Sequence, residues 1–363
     1  MVKTQLLVVG GGPAGLAAAS TAAALGIEVL VVDEGRHLGG QLVKQTHKFF
    51  GSGEHYAGVR GIDIPSLLCP EENRGKITAL TNTTVLGCYE DGVITALTGE
   101  EKYFKIKADR AIFATGASEK FLSFAGNDLP GVYGAGAVQT LMNQYGVIPG
   151  NRVLMVGAGN IGIIVSYQLL QAGIAVTAVV EAAPNIGGYL VHASKLARAG
   201  VPILTRHTIL EAKGTEVVEA AVIARLDENW QVISGSEQEL EVDVVCLAVG
   251  LSPVVDLVRQ AGCATKYVPE LGGDVPIRDK ELKTSLDWIY VAGDVAGVEE
   301  ASAAMVEGRL AGAAAAAELG ADRAEANKIL ARCQASLESL RGGPVGEKIR
   351  CGIAKLEGGA INA

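Results

Sequence analysis

The residues with the plainest chemical purpose are two glycine-rich turns, Gly10-Gly11-Gly12-Pro13-Ala14-Gly15 and Gly157-Ala158-Gly159-Asn160-Ile161-Gly162. In each, the first glycine permits a tight turn after a strand. The second lets the backbone approach a pyrophosphate, and the third lets the next helix pack closely on that strand. Free N–H groups at the helix start then offer a partial positive charge to the phosphates. The elements that must position these turns are legible on either side. Apolar runs at residues 5–9 and 152–156 read as strands, and residues 16–25 and 163–172 read as helices. Second strands at 29–32 and 175–180 end in an acid, Asp33 or Glu181, placed to bind ribose hydroxyls. Two such units in one chain imply two dinucleotides held face to face, which means electron transfer.

The bulk composition agrees with this reading. At 363 residues the chain is long enough for about two domains. Hydrophobic residues make up 49%, Gly is frequent at 47 residues and aromatics are sparse at 5%, as suits a parallel α/β architecture. The formal charge of −9 argues against a nucleic-acid or anionic-membrane partner. Residues 6–25 are apolar but broken by Gly and Pro, so they read as a fingerprint strand and helix rather than a signal peptide. The Ala-rich run at 311–317 is too short to span a bilayer. A cytoplasmic protein without membrane insertion is expected. The six cysteines (Cys69, Cys88, Cys246, Cys263, Cys333 and Cys351) form no C-x-x-C, so neither a redox dithiol nor a local iron–sulfur or zinc motif is encoded, and no metal is expected.

The segment Asp33-Glu34-Gly35-Arg36-His37-Leu38-Gly39-Gly40-Gln41-Leu42 resembles the stretch after the second strand in thioredoxin-reductase-like flavoproteins. Ala114-Thr115-Gly116 resembles the ATG strand end of that family, and Ala292-Gly293-Asp294 its late G-D motif. The resemblance implies two Rossmann-like FAD/NAD(P)-binding α/β domains, the NAD domain (118–250) inserted in the FAD domain (1–117 and 251–325), with a C-terminal helix and tail at 326–363. It implies FAD held by Gly10, Gly12, Pro13, Ala14, Gly15, Asp33, Glu34, Gly40, Gln41, Thr115, Gly116, Asp294 and Ala301. Asp294 would bind the ribityl chain. A helix over 299–317 would aim its N-terminus at the flavin pyrimidine edge and stabilise negative charge there. NAD(H) would be held by Gly157, Gly159, Asn160, Ile161, Gly162, Glu181 and Gly250. An acid at 181, with no Arg or Lys at 182–186, favours NAD over NADP. Hinges are expected near 127–131 and 250–253. Residues 322–341 suit an amphipathic helix. The Gly-rich tail from 342 reads as a loose end or a docking element, and the chain after Gly320 reads as removable without loss of flavin.

The family's flavin-facing cysteine pair is missing, so something else must serve. Residues 44–60 carry two histidines and three basic side chains, and are expected near the flavin ring. Lys44 and His47 are the candidate catalytic residues, able to tune the flavin or move a proton; the other reading is a solvated loop anchored by Phe49 and Phe50. His192 and His207 read as surface or packing residues. Leu129-Pro130-Gly131-Val132-Tyr133, Gly187-Gly188 and Ala304-Met305-Val306-Glu307-Gly308-Arg309-Leu310-Ala311-Gly312 are similar to the alpha subunits of heteromeric amine and amino-acid dehydrogenases. That group includes sarcosine oxidase alpha, dye-linked proline dehydrogenase alpha, opine oxidase A and hydrogen cyanide synthase B. It implies hydride transfer between NAD(H) and FAD, in partnership with a second redox subunit, either a flavoprotein or an iron–sulfur protein. Several of those subunits continue into a cysteine-rich cluster segment, which this sequence lacks. The alternatives are a stand-alone NADH:acceptor reductase using a quinone, ferredoxin or external disulfide, and a nucleotide-binding structural subunit.

Overall fold

The computed structural model describes residues 1–49, 51–70, 73, 75–99, 102–344 and 346–357; Phe50 and the last six residues lie outside them. The chain divides into two compact units, Met1–Ser118 with Leu251–Ala363, and Glu119–Gly250.

The first unit opens with β1 (Val2–Val9), α1 (Pro13–Ala24) and β2 (Val29–Val32), followed by β3 (Ile77–Leu80), β4 (Thr83–Cys88), β5 (Val93–Thr98) and β6 (Lys102–Phe113). The sheet runs β3-β2-β1-β6-β5-β4. Its β1–β2, β2–β3 and β1–β6 pairings are parallel, while β4 and β5 form an antiparallel edge. Leu6, Leu7 and Val8 have no exposed surface. A strand covered on both faces reads as a continuous apolar run rather than an alternation, which is why this one was legible. Helix α1 starts at Pro13, three residues ahead of the sequence expectation. Proline suits the first helical position because its fixed φ fits and its missing N–H has no partner there anyway.

The second unit is one uninterrupted segment. It holds β7 (Val132–Gly134), α2 (Ala135–Tyr145), β8 (Arg152–Val156), α3 (Asn160–Gln171), β9 (Ala175–Glu181), α4 (Leu190–Arg198) and β10 (Ile203–Thr205). A three-stranded antiparallel sheet, β11 (His207–Lys213), β12 (Ala220–Arg225) and β13 (Gln238–Glu241), precedes the final strand β14 (Val244–Leu247). The main sheet runs β10-β9-β8-β14-β7, parallel throughout. Residues 127–131 are interior to this unit, where Val218 N–H donates to the Pro130 carbonyl at 3.0 Å. The chain passes between units at Ser118–Glu119 and Gly250–Leu251, so of the two expected hinges only the second coincides with a crossing.

After the crossing, the first unit is completed by β15 (Thr265–Val268), β16 (Gly273–Pro276), β17 (Ile289–Val291), α5 (Ala301–Glu318), α6 (Arg323–Leu340) and α7 (Glu347–Glu357). Strand β17 lies parallel to β6, with Tyr290 opposite Ile112. Helix α5 packs on α1 so closely that a Cβ at Gly308 would overlap the Ala14 carbonyl. That closeness accounts for its small residues. Helix α6 begins at an Asp322 cap, whose side chain accepts from Ala324 N at 2.8 Å, and buries Ala326, Leu330, Cys333 and Leu337. The tail is not loose through residue 357. Ile349, Ile353 and Leu356 share one face of α7 and pack on Val268, Leu271 and Val275. Helical spacing of three apolar residues carried that signal, and the surrounding glycines concealed it. Among the described residues no helix is long and apolar enough to cross a membrane, and no three His, Cys, Asp or Glu side chains gather as a metal site.

Two candidate dinucleotide cradles

The two glycine-rich turns are built bond for bond alike. Gly10 N–H donates to Val32 O at 2.8 Å, and Gly157 N–H to Val180 O at 2.8 Å. Both glycines have positive φ, 99° and 107°, and a Cβ on either would overlap the carbonyl of Ala114 or Ala248. Those alanines are tied in turn to the preceding strand, Ala114 N to Val9 O and Ala248 N to Val156 O. The strand end that resembles the family's ATG, and the strand end at Ala248 in the second unit, are therefore what the two turns pack against.

The acids also correspond. Asp33 accepts Gly11 N at 2.6 Å and Gly35 N at 2.7 Å. Glu181 accepts Ala158 N at 2.8 Å and Ala183 N at 2.9 Å. Each carboxylate thus ties the turn to the loop after the second strand. Two backbone bonds leave lone pairs on each side chain for further donors. The space above the turns fits a pyrophosphate. A Cβ at Gly159 would have nothing within 4 Å, and one at Gly12 only the Cα of Gly40, at 3.9 Å. This crevice lies at the carboxyl ends of parallel strands, where open α/β sheets receive ligands.

In the first unit Gly40 and the residue before Asp294 pack against the glycine-rich turn and the helix start. Gly40 sits against Gly12, and Gly293 against Ala14. Thr115 Oγ1 donates to Val254 O at 2.8 Å, pinning the strand end, and Gly116 O accepts Val254 N at 3.0 Å. Glu34 and Gln41 are exposed. Burial first, and then the charges of Glu307, Glu299 and Glu300, push the Asp294 carboxyl up to about 7, although Glu299 N donates to it. Ala301 is the first residue of α5.

Of the candidate catalytic residues, Lys44 is buried at the end of the 3-10 turn Gly40–Lys44. His47 stacks on Phe49, ring centroids 5.7 Å apart and 15° from parallel. Phe49 packs with Leu16, Leu42, Ile64 and Met305, so residue 49 is an anchor while Lys44 is not solvated. His55 bonds Ser52 and Ser336. His192 is a buried packing residue whose pKa is lowered, by burial first and then by Lys195.

All six cysteines are free, and only Cys351 is exposed. Burial pushes Cys88 up to about 12 and Cys246 higher still.

Sequence reasoning missed two groups. The Glu299–Glu307–Arg341 cluster beside Asp294 joins two nearby glutamates to an arginine 34 positions beyond the second; its one local signal was a glutamate inside the Ala-rich run of α5. Arg206 is the second. Thr205 pairs with Glu181 across the sheet, and Arg206 N–H donates to Ala183 O at 3.1 Å. A basic residue thus follows the neighbouring strand with its backbone tied to the loop after Glu181, a placement that only the strand order discloses.

Two glycine-rich cradles in two Rossmann-like units define a flavoprotein fold that takes two dinucleotides. The chain belongs to the pyridine nucleotide-disulphide oxidoreductase family, whose sequence profile matches residues 4–308. FAD and a pyridine nucleotide are accordingly its cofactors. It is similar to the alpha subunit of sarcosine oxidase from Corynebacterium sp. (strain P-1), 31% identical over 338 residues, which cover 89% of this chain and 33% of the relative. It is also similar to opine oxidase A of Agrobacterium tumefaciens (strain Ach5), 29% identical over 87% of this chain and 66% of the relative. The chain thus spans from a third to just under two thirds of the length of these relatives. In fold it resembles T. acidophilum thioredoxin reductase, with a TM-score of 0.71 over 88% of this chain and 99% of that one, at 19% identity.

Proposed function

We propose that this chain is a cytoplasmic, NAD(H)-linked FAD oxidoreductase that works as the electron-transfer component of a heteromeric dehydrogenase acting on amines, amino acids or hydroxy acids. FAD, when bound, supplies the hydride and two-electron chemistry. The observation that carries the reading is the matched pair of cradles, each with an acid braced to its turn.

In this reading the amides opening α1, at Gly12 to Gly15, orient one pyrophosphate, and those opening α3, at Gly159 to Gly162, orient the other. Asp33 and Glu181 take the adenosine ribose hydroxyls. Asp294 accepts from the ribityl chain, Thr115 and Gly116 close the wall, and the α5 N-terminus from Ala301 favours negative charge at the pyrimidine edge. Gly250 ends the wall of the second cradle. Lys44 and His47 sit on the segment leaving Gly40 and handle the proton that accompanies electron transfer. The thiols take no part, since high pKa values leave the buried ones protonated and poor nucleophiles. The names of the curated relatives, both components of larger enzymes, support a second redox polypeptide as the electron partner.

The test is anaerobic mixing with NADH. The purified protein is expected to be yellow, to bleach with NADH, and to bleach equally after all six cysteines are replaced, while a second redox polypeptide co-purifies from the native host. Bleaching that is lost with one particular cysteine would sink the dithiol-free reading. Fast turnover with a simple acceptor and no partner would replace the heteromeric reading with a stand-alone reductase. No bleaching with either nicotinamide would leave a structural role.

A further inference from the structure

The end of α6 reaches back to the flavin crevice. Arg341, the residue that closes that helix, is 14% exposed and grips two carboxylates at once. Its Nη2 lies 2.6 Å from Glu299 Oε1 and 2.6 Å from Glu307 Oε1, and its Nε lies 3.0 Å from Glu299 Oε2. Glu307 is 2% exposed, and its other oxygen accepts the Gly293 N–H at 2.9 Å. Glu299 precedes α5, and its own N–H points at Asp294 Oδ1, 3.4 Å away. One unbroken set of bonds therefore runs from the last turn of α6 to the Gly293-Asp294 corner.

Carboxylates outnumber the arginines here. Glu299 and Glu307 meet Arg341 at the end of α6, Arg278 lies 3.9 Å from Glu307, and Asp294 accepts from the Glu299 N–H beside them. Glu300 stands at the start of α5. Arg350 of α7 donates to the Arg341 carbonyl and to Gly343 O at 2.9 Å, fixing the main chain that carries the guanidinium. A bidentate guanidinium fork is the group suited to hold two buried carboxylates in place. Removing it leaves carboxylates buried and unpaired, among the costliest single changes in a protein interior.

We infer that Arg341 is a positioning residue for the flavin: through Glu299 and Glu307 it fixes the corner that presents Asp294 to the FAD ribityl chain, so that FAD retention depends on the C-terminal helix. The inference rests on Asp294 facing FAD. It also replaces the sequence expectation that the chain after Gly320 can be removed without loss of flavin, because that cut would delete Arg341 and uncover both glutamates. The dependence has a sign. Burial and Glu307 raise the Glu299 carboxyl while Arg341 lowers it, so without Arg341 Glu299 takes up a proton more readily and acid relieves part of the damage.

The experiment follows FAD release from the purified holoprotein by its recovered fluorescence on dilution, at about pH 8 and about pH 5.5, with melting temperature recorded in parallel. Arg341→Ala is expected to weaken FAD retention roughly tenfold or more at the higher pH and about threefold or less at the lower. Arg341→Lys, which keeps the charge and loses the fork, is expected to fall between. The pair Arg341→Ala with Glu299→Gln is expected to recover most of the loss, and together with the lysine variant it carries the test if Arg341→Ala does not fold. The inference is overturned if Arg341→Ala keeps FAD like the native protein at both pH values. It is equally overturned if the loss is the same at both and Glu299→Gln restores none of it, which would make Arg341 a packing residue only. Native holoprotein whose flavin is indifferent to Asp294→Asn would instead overturn the placement of Asp294.

Discussion

The two cradles share their turns, their acids and their strand ends, yet they are backed differently. Behind the first turn stands a second helix: α5 presses Gly308 onto the Ala14 carbonyl, and a buried ionic cluster closes the corner at Gly293. Among the described residues no helix presses on the second turn in that way; the Gly187 and Gly188 N–H groups donate to the Ala158 carbonyl instead. Ile161, in the first turn of α3, is 42% exposed, and its neighbour Asn160 accepts from Tyr189 N at 2.8 Å in the loop before α4. Both turns rest on buried helices, but a second helix presses on the first turn's carbonyl and a loop caps the second's. A cofactor that stays needs the first arrangement, and one that must come and go is served by the second.

The largest expected effects come from breaking both turns in the same way. Gly10→Ala and Gly157→Ala place a Cβ against a carbonyl at positive φ, each costing about 2–5 kcal/mol locally. Absorbance and NADH titration separate them: Gly10→Ala is expected colourless, Gly157→Ala yellow but unbleached by NADH. If both lose flavin alike, the contrast between the cradles is wrong.

Next is Gly308→Ala, which has no counterpart in the second unit. Overpacking α5 against α1 is expected to cost about 1–3 kcal/mol and lower the melting temperature of the holoprotein. An unchanged melt would mean that α5 does not bear on α1 so closely.

The nicotinamide preference sharpens the second cradle. Glu181 beside a 2′-phosphate brings like charges together, so NADH is expected to bleach the flavin faster than NADPH, by roughly 1–3 kcal/mol of discrimination. Glu181→Ala is expected to shrink that gap, and Arg206→Ala to widen it. Stopped-flow rates with both nucleotides decide; no response to Arg206→Ala would remove it from the site.

The smallest expected effect is a pH slope confined to the first unit. Asp294 has an ordinary value of 3.8 and is raised to about 7 in the fold, so the folded apoprotein holds this proton more tightly than the unfolded chain. This contribution is full below about 4, declines as pH rises and is gone above about 7. Apoprotein melts at pH 6 and pH 8 are expected to show the native protein losing stability with rising pH relative to Asp294→Asn. Parallel curves for the two would refute it.

What was legible in the sequence was local. A turn, its strand and its acid lie within a short stretch, so both cradles could be placed from the residues alone. So could α6, whose cap and apolar face at 326, 330, 333 and 337 are one helical pattern. What was illegible depended on long-range neighbours. The Arg206 backbone meets the loop after Glu181 only because β10 lies beside β9. Arg341 meets Glu299 and Glu307 only because α6 folds back along α5. The loop from Lys44 to Arg60 was half legible: its basic and aromatic residues were plain, whereas the burial of Lys44 follows from the turn at Gly40.

The nested order of the units has a consequence for how the protein is made. Residues 119–250 are contiguous, so that unit has its whole sheet as soon as it leaves the ribosome. The flanking unit cannot close then. Its seventh strand, Ile289–Val291, and the helix that backs the first turn are synthesised after the inserted unit, and Arg341 later still. A nascent chain of about 250 residues therefore displays an unfinished sheet with an open edge beside a finished neighbour. Flavin capture then waits on residues made well after the inserted unit, and a shortage of flavin would fall on the half of the molecule that has waited longer.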